Sequence, residues 1–182
     1  DPDPLRHAAI IFAGHAAAAL PPTMPRYKLT IEYAGTRYSG WQIQKNARTV
    51  QGAIDLAART VTGRNDFELY GAGRTDAGVH ALGQGVSFSA PAHWTGPALH
   101  RALNALLPGD CWVSAIHPMQ LGFHARKSAL SRLYRYDIGL DEASASPFRH
   151  HFEWALGKPV DLELLNAAAL VVRGEHDFRA FA

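Results

Sequence analysis

The chain has 182 residues, 47% hydrophobic and 19% charged, with a formal net charge of +2 and a single cysteine. This composition places the chain in the globular class rather than the disordered one, one cysteine cannot form an internal disulfide, and no apolar run reaches the roughly 20 residues that a membrane-spanning helix needs. Fourteen of the 18 basic residues are arginine, whose planar donors suit phosphates and base edges; a high-GC coding bias gives the same excess, so where the arginines lie carries more than their number.

Ala8 to Leu20 has the apolar character of a short signal-peptide core, but Asp1 and Asp3 stand where positive charge belongs. Met24 followed by PRYKLTIEY reads as a natural start, so residues 1–23 are expected to be a leader outside the fold. From Arg26 to Tyr33 the residues Tyr27, Leu29, Ile31 and Tyr33 alternate with polar ones, the period of a half-buried strand. Thr49 then offers an N-cap to a helix carrying Val50, Ile54, Ala57, Ala58 and Val61, which Gly63 closes. Phe67 to Tyr70 and Gly85 to Ser89 read as short strands. Thr95 caps a second helix with Pro97 in its first turn and Leu99, Leu103 and Leu106 on one face, before Pro108-Gly109 stops it. Cys111 to Ile116 is a further strand, and Cys111 is expected to be a buried structural thiol.

The order strand, helix, strand, strand, helix, strand is the split arrangement of ferredoxin-like domains, an α/β (α+β) fold with an antiparallel sheet. A second unit is expected to open with a long strand, Ser128 to Leu140, with Tyr134, Tyr136, Ile138 and Leu140 on one face. Its helix follows an Asp161 cap, with Leu162, Leu165, Ala169 and Val172 inward and Gly174 at its end. The predicted domains are therefore 24–122 and an incomplete second domain of the same kind, 123–182.

Between the two central strands lies GAGRTDAGVHA, Gly71 to Ala81, too irregular for helix or strand. Asp-Ala-Gly is ordinary turn chemistry, yet Arg74 and Asp76 stand two apart among three glycines that permit close approach of a ligand. This loop resembles the signature of the TruA family of tRNA pseudouridine synthases. RYKLTIEYAGTRYSGWQIQ from Arg26, TVQGAI from Thr49, NALLPGD from Asn104, FHARKSALSRLYRY from Phe123 and GEHDFRAF from Gly174 resemble family segments in the same order. The resemblance runs from about Arg26 to the last residue and is that of a C-terminally truncated member.

The resemblance implies isomerisation of uridine to pseudouridine in the anticodon arm, at tRNA positions 38 to 40, by a cytoplasmic homodimer that uses neither cofactor nor metal. It makes Asp76 the catalytic carboxylate, beside the anomeric carbon where positive character develops. Tyr134 matches a tyrosine that contacts the target base, and Arg74 would fill the space a flipped uridine leaves or contact a phosphate. Alternation along a strand also fits core residues, a reading that suits Tyr136 better than Tyr134. Arg126, Lys127, Arg132 and Arg135, with Arg37, Lys45 and Arg48, are candidates for a phosphate path. A catalytically inactive RNA-binding fragment is the alternative reading.

Other signals fail on spacing. The third glycine of a dinucleotide fingerprint is replaced by Asp76, no P-loop lysine follows, and the ten histidines lack metal-ligand spacing, with His150-His151 adjacent.

Overall fold

A computed structural model describes residues 8–12 and 24–181. The chain falls into two compact units that divide between Arg135 and Tyr136, later than the sequence division at residue 122.

In the first unit the strands are β1 (Ala8–Phe12), β2 (Arg26–Tyr33), β3 (Tyr70–Gly71), β4 (Ala81–Ser89), β5 (Cys111–Met119) and β6 (Ala129–Tyr134). The helices are α1 (Val50–Thr62) and α2 (Gly96–Leu106). Strands β5, β2, β4 and β3 lie side by side in that order, every neighbour antiparallel. This is the ferredoxin-like α+β arrangement that the element order predicts.

The alternation read in the first strand is the burial pattern of β2: Tyr27, Leu29, Ile31 and Tyr33 are buried in a core with Val50, Ile54, Leu99 and Leu103 of the two helices. Both helix starts are capped as expected, Thr49 Oγ1 accepting from Gly52 N and Thr95 Oγ1 from Ala98 N, each cap contributing about 1 kcal/mol. Asn104 ties α2 to the sheet, since its carboxamide both donates to Val113 O at 2.9 Å and accepts from Val113 N at 2.8 Å. Cys111 is buried, and burial pushes its thiol up to about 12.

Three expectations need correction here. The strand expected over Phe67 to Tyr70 is only Tyr70–Gly71, because Phe67 and Leu69 spend their side chains on the core without joining the ladder. Strand β4 begins at Ala81, four residues before the expected start. Ala8–Phe12, inside the segment expected to lie outside the fold, forms a strand parallel to β4 and antiparallel to β6. The remaining residues of that expected leader, 1–7 and 13–23, lie outside the described residues.

In the second unit β7 (Ile138–Gly139) pairs in parallel with β8 (Trp154–Ala155), and α3 (Leu162–Val171) is capped by Asp161, whose Oδ1 accepts from Leu164 N at 3.0 Å. The long strand expected over residues 128–140 is thus broken, since Ile138 and Gly139 take partners from β8 while Ala129–Tyr134 pairs with β1. Tyr136, expected in the core, is 88% exposed. No residue of α3 is buried, so Leu162, Leu165 and Ala169 do not form the inward face expected of them, and Val172 beyond its end is exposed as well. His150 and His151 occupy a turn, not a strand, with ring centroids 3.9 Å apart.

Candidate active site

The Gly71–Ala81 loop connects two antiparallel neighbours, so both its ends are fixed by the sheet: Gly71 pairs with Val86, and Ala81 with Tyr33. Between them the backbone is irregular but well bonded. Ala72 N donates to Gly85 O at 2.7 Å, and Ala72 O accepts from Arg132 Nε at 3.1 Å and Nη2 at 2.6 Å. Gly73 O accepts from Gln84 Nε2 at 2.8 Å. Thr75 O accepts from Trp41 N at 2.9 Å, while Thr75 Oγ1 and the Tyr33 hydroxyl share a hydrogen bond of 2.9 Å. Gly78 N donates to Tyr38 O and Val79 N to Asp76 O, each at 3.2 Å. These bonds tie the loop backbone to its neighbours at Ala72, Gly73, Thr75 and Gly78.

The segment Tyr38–Trp41 is the second wall of this arrangement. Gly40 has φ of +85°, and a Cβ there would stand 2.7 Å from Thr75 O, so glycine is required both by the left-handed backbone and by the approach of the loop. Tyr33, beneath the loop, is buried, and burial pushes its hydroxyl up to about 12 despite hydrogen bonds from Thr75 and Gln84 that pull the other way.

The loop borders a cavity of about 750 Å³, within the range of small-ligand sites. Trp41, Arg74, His124, Arg126, Arg132 and Tyr134 are among its lining residues. Three guanidinium groups on one cavity favour an anionic ligand. His124 stacks on Tyr70 with centroids 4.6 Å apart, a flat aromatic pair of the kind on which bases stack. Tyr134, at the end of β6, is 56% exposed, and its hydroxyl lies 3.9 Å from the position of a Cβ on Gly73.

The structure therefore brings Arg74 and Tyr134 to one cavity. Asp76 is exposed on the same loop, is not among the residues lining that cavity, and makes no ion pair with Arg74 among the described residues. Of the candidate phosphate path, Arg126 and Arg132 line the cavity, whereas Arg37 and Arg48 both pair with Asp110 at 2.8 Å.

Residues 29–126, which contain the loop and most of these walls, match the family model described as tRNA pseudouridine synthase. The chain belongs to the tRNA pseudouridine synthase family. It is 41% identical over 156 residues to tRNA pseudouridine synthase A 1 of Protochlamydia amoebophila, which covers 86% of this chain and 60% of that protein. It is 42% identical over 158 residues to tRNA pseudouridine synthase A of a Geobacter species, covering 87% of the chain and 63% of the relative. The corresponding protein of Latilactobacillus sakei is 38% identical over 157 residues, covering 86% and 63%. The chain thus spans about three fifths of the length of these curated relatives.

Among the described residues of this family member, no three His, Cys, Asp or Glu side chains are grouped to hold a metal, and no helix is long and apolar enough to cross a membrane. Sequence reasoning missed Trp41, Gln84 and the Tyr70–His124 stack. Trp41 had a signal, because the SGW tripeptide precedes a helix cap where a buried aromatic has no strand period to explain it. Gln84 and the stack had none, since they depend on which strands become neighbours.

Proposed function

We propose that this chain carries the catalytic part of a tRNA pseudouridine synthase, isomerising uridine to pseudouridine in the anticodon stem-loop at positions 38 to 40. The observation that carries the proposal is the anchored GRTDAGVH loop beside a cavity that Arg74 and Tyr134 share. A uridine leaving its stack costs a few kcal/mol, and a basic cavity of nucleoside size offsets that cost by binding the phosphates and the displaced base.

In this reading Asp76 supplies the carboxylate at the ribose C1′ as the glycosidic bond breaks. Uracil turns and rejoins through C5; the C5 proton leaves to solvent and N1, freed from the ribose, takes one up, so the product is an isomer of the substrate. Tyr134 contacts the base, and Arg74 occupies the vacated stack or a phosphate. No redox partner or metal is needed for this balance of atoms. Cytoplasmic action on tRNA and a homodimeric working form belong to the same proposal.

Release of tritium from tRNA labelled at uridine C5 tests it, with this chain compared with Asp76→Ala. Release that disappears in the variant supports the assignment, whereas equal release from both overturns it.

A further inference from the structure

The side chain of Gln84 is the only buried carboxamide that reaches the loop among the described residues, and it is 2% exposed. Its orientation is settled by its neighbour: Gly73 O is an acceptor, so the group facing it at 2.8 Å must be the amide nitrogen. The oxygen Oε1 is then left fully buried without a hydrogen-bond donor among the described residues. Burying an acceptor in that state is costly, and such atoms in native proteins find a partner or an ordered water.

A second observation points to the partner. A small cavity of about 10 Å³ is lined by Gln84 together with Gly73, Arg74, Thr75, Ala81, Arg132, Leu133 and Tyr134. That volume is about the size that accommodates one water and is far too small for a base. Thr75, Tyr134, Arg74 and Arg132 bring hydroxyl and guanidinium groups to its walls, and Ala81 and Leu133 make the rest of the lining apolar.

We propose that Gln84 is a positioning residue of the loop, its amide nitrogen fixing Gly73 and its oxygen holding one water molecule in this small cavity between Thr75, Arg132 and Tyr134. The residue acts through Gly73, whose neighbour Arg74 faces the large cavity, and through the water, which lies against the Tyr134 side of the site. That this positioning serves catalysis rests on the reading given above; the contact with the loop and the bound water do not.

The test uses the full chain with Gln84→Met, which keeps the bulk without polar atoms, and Gln84→Glu, which keeps an oxygen but loses the amide donor. Hydrogen exchange of the amides of residues 72–78 is expected to quicken about tenfold in both variants, while the amides of β2 and β5 stay within twofold of wild type. A crystal structure of the wild type is expected to hold a water within hydrogen-bond distance of Gln84 Oε1. In tritium release, kcat is expected to fall about tenfold with KM within twofold. Exchange that quickens equally across the whole sheet would mean a merely structural residue and would overturn the proposal, as would the absence of that water. If the Met variant does not fold, the Glu variant carries the same comparison. A wild type without tritium release defeats the catalytic reading, and the exchange and crystallographic arms then decide the role of Gln84 by themselves.

Discussion

Gly71 stands so close to Trp41 that a Cβ at position 71 would lie 2.6 Å from Cε2 and Cζ2 of the indole. No side-chain rotation of a fully packed ring absorbs that overlap, so Gly71→Ala is expected to destabilise the chain by about 1–3 kcal/mol. Urea unfolding measures it. Trp41→Phe, which removes the overlapping ring, is expected to recover part of the loss when combined with Gly71→Ala; strict additivity of the two changes would show that they do not touch.

Asp76→Asn keeps the size of the carboxylate and removes its charge. If the carboxylate acts at C1′, the variant is expected to lose turnover by at least about a thousandfold, or about 4 kcal/mol of transition-state stabilisation, with tRNA affinity within about twofold. Filter binding and tritium release on the same preparation separate the two quantities. Weakened binding with a matching loss of turnover would make Asp76 a binding residue instead.

The first unit was legible because its signals are local. Thr49, Thr95 and Gly63 mark helix ends by chemistry that depends on neighbours a few residues away, and the alternation of Tyr27 to Tyr33 needs only one buried face. Strand edges were less legible. Ala81 to Gln84 became part of β4 because β2 supplies partners for them, which no property of ALGQ announces. Tyr134 and Tyr136 have the same alternating context, yet the first lines a cavity and the second is exposed. Tyr134 is paired with Ala8 of β1, and that pairing is a tertiary fact. At the candidate site the loop itself was readable, whereas Gln84 acquires meaning only through the carbonyl of Gly73 that the fold brings to it.

Asp110 accepts from Arg48 Nη1 at 2.9 Å and Nη2 at 2.8 Å, from the Tyr38 hydroxyl at 2.7 Å and from Arg37. The Arg48 guanidinium, then Tyr38 and Arg37, hold its carboxyl well below the usual carboxylate range. Because the folded-state value is depressed, the stability it contributes is present above the unfolded value of about 3.9 and is lost as the pH falls below it. Asp110→Asn is therefore expected to cost about 2 kcal/mol at pH 7, and the gap to wild type should narrow when urea unfolding is repeated near pH 2.5. A gap that stays constant would mean that Asp110 contributes shape and not charge.

Tyr33 tests the alkaline side. Its buried hydroxyl, pushed up to about 12, stays neutral in the folded chain at pH values where an unfolded tyrosine, near 10, is already ionising. A raised folded-state value of this kind leaves the contribution intact below about pH 10 and erodes it as the pH rises toward 12. Tyr33→Phe loses the hydrogen bond to Thr75 Oγ1, which should cost about 1 kcal/mol at pH 7, but it has no proton to lose. Wild type and variant are expected to converge in stability between pH 9 and pH 11, since the other raised tyrosines and the thiol, Tyr27, Tyr38, Tyr70 and Cys111, are present in both. Urea midpoints at those two pH values decide the matter: parallel curves would mean that the Tyr33 hydroxyl is solvated and does not anchor the loop.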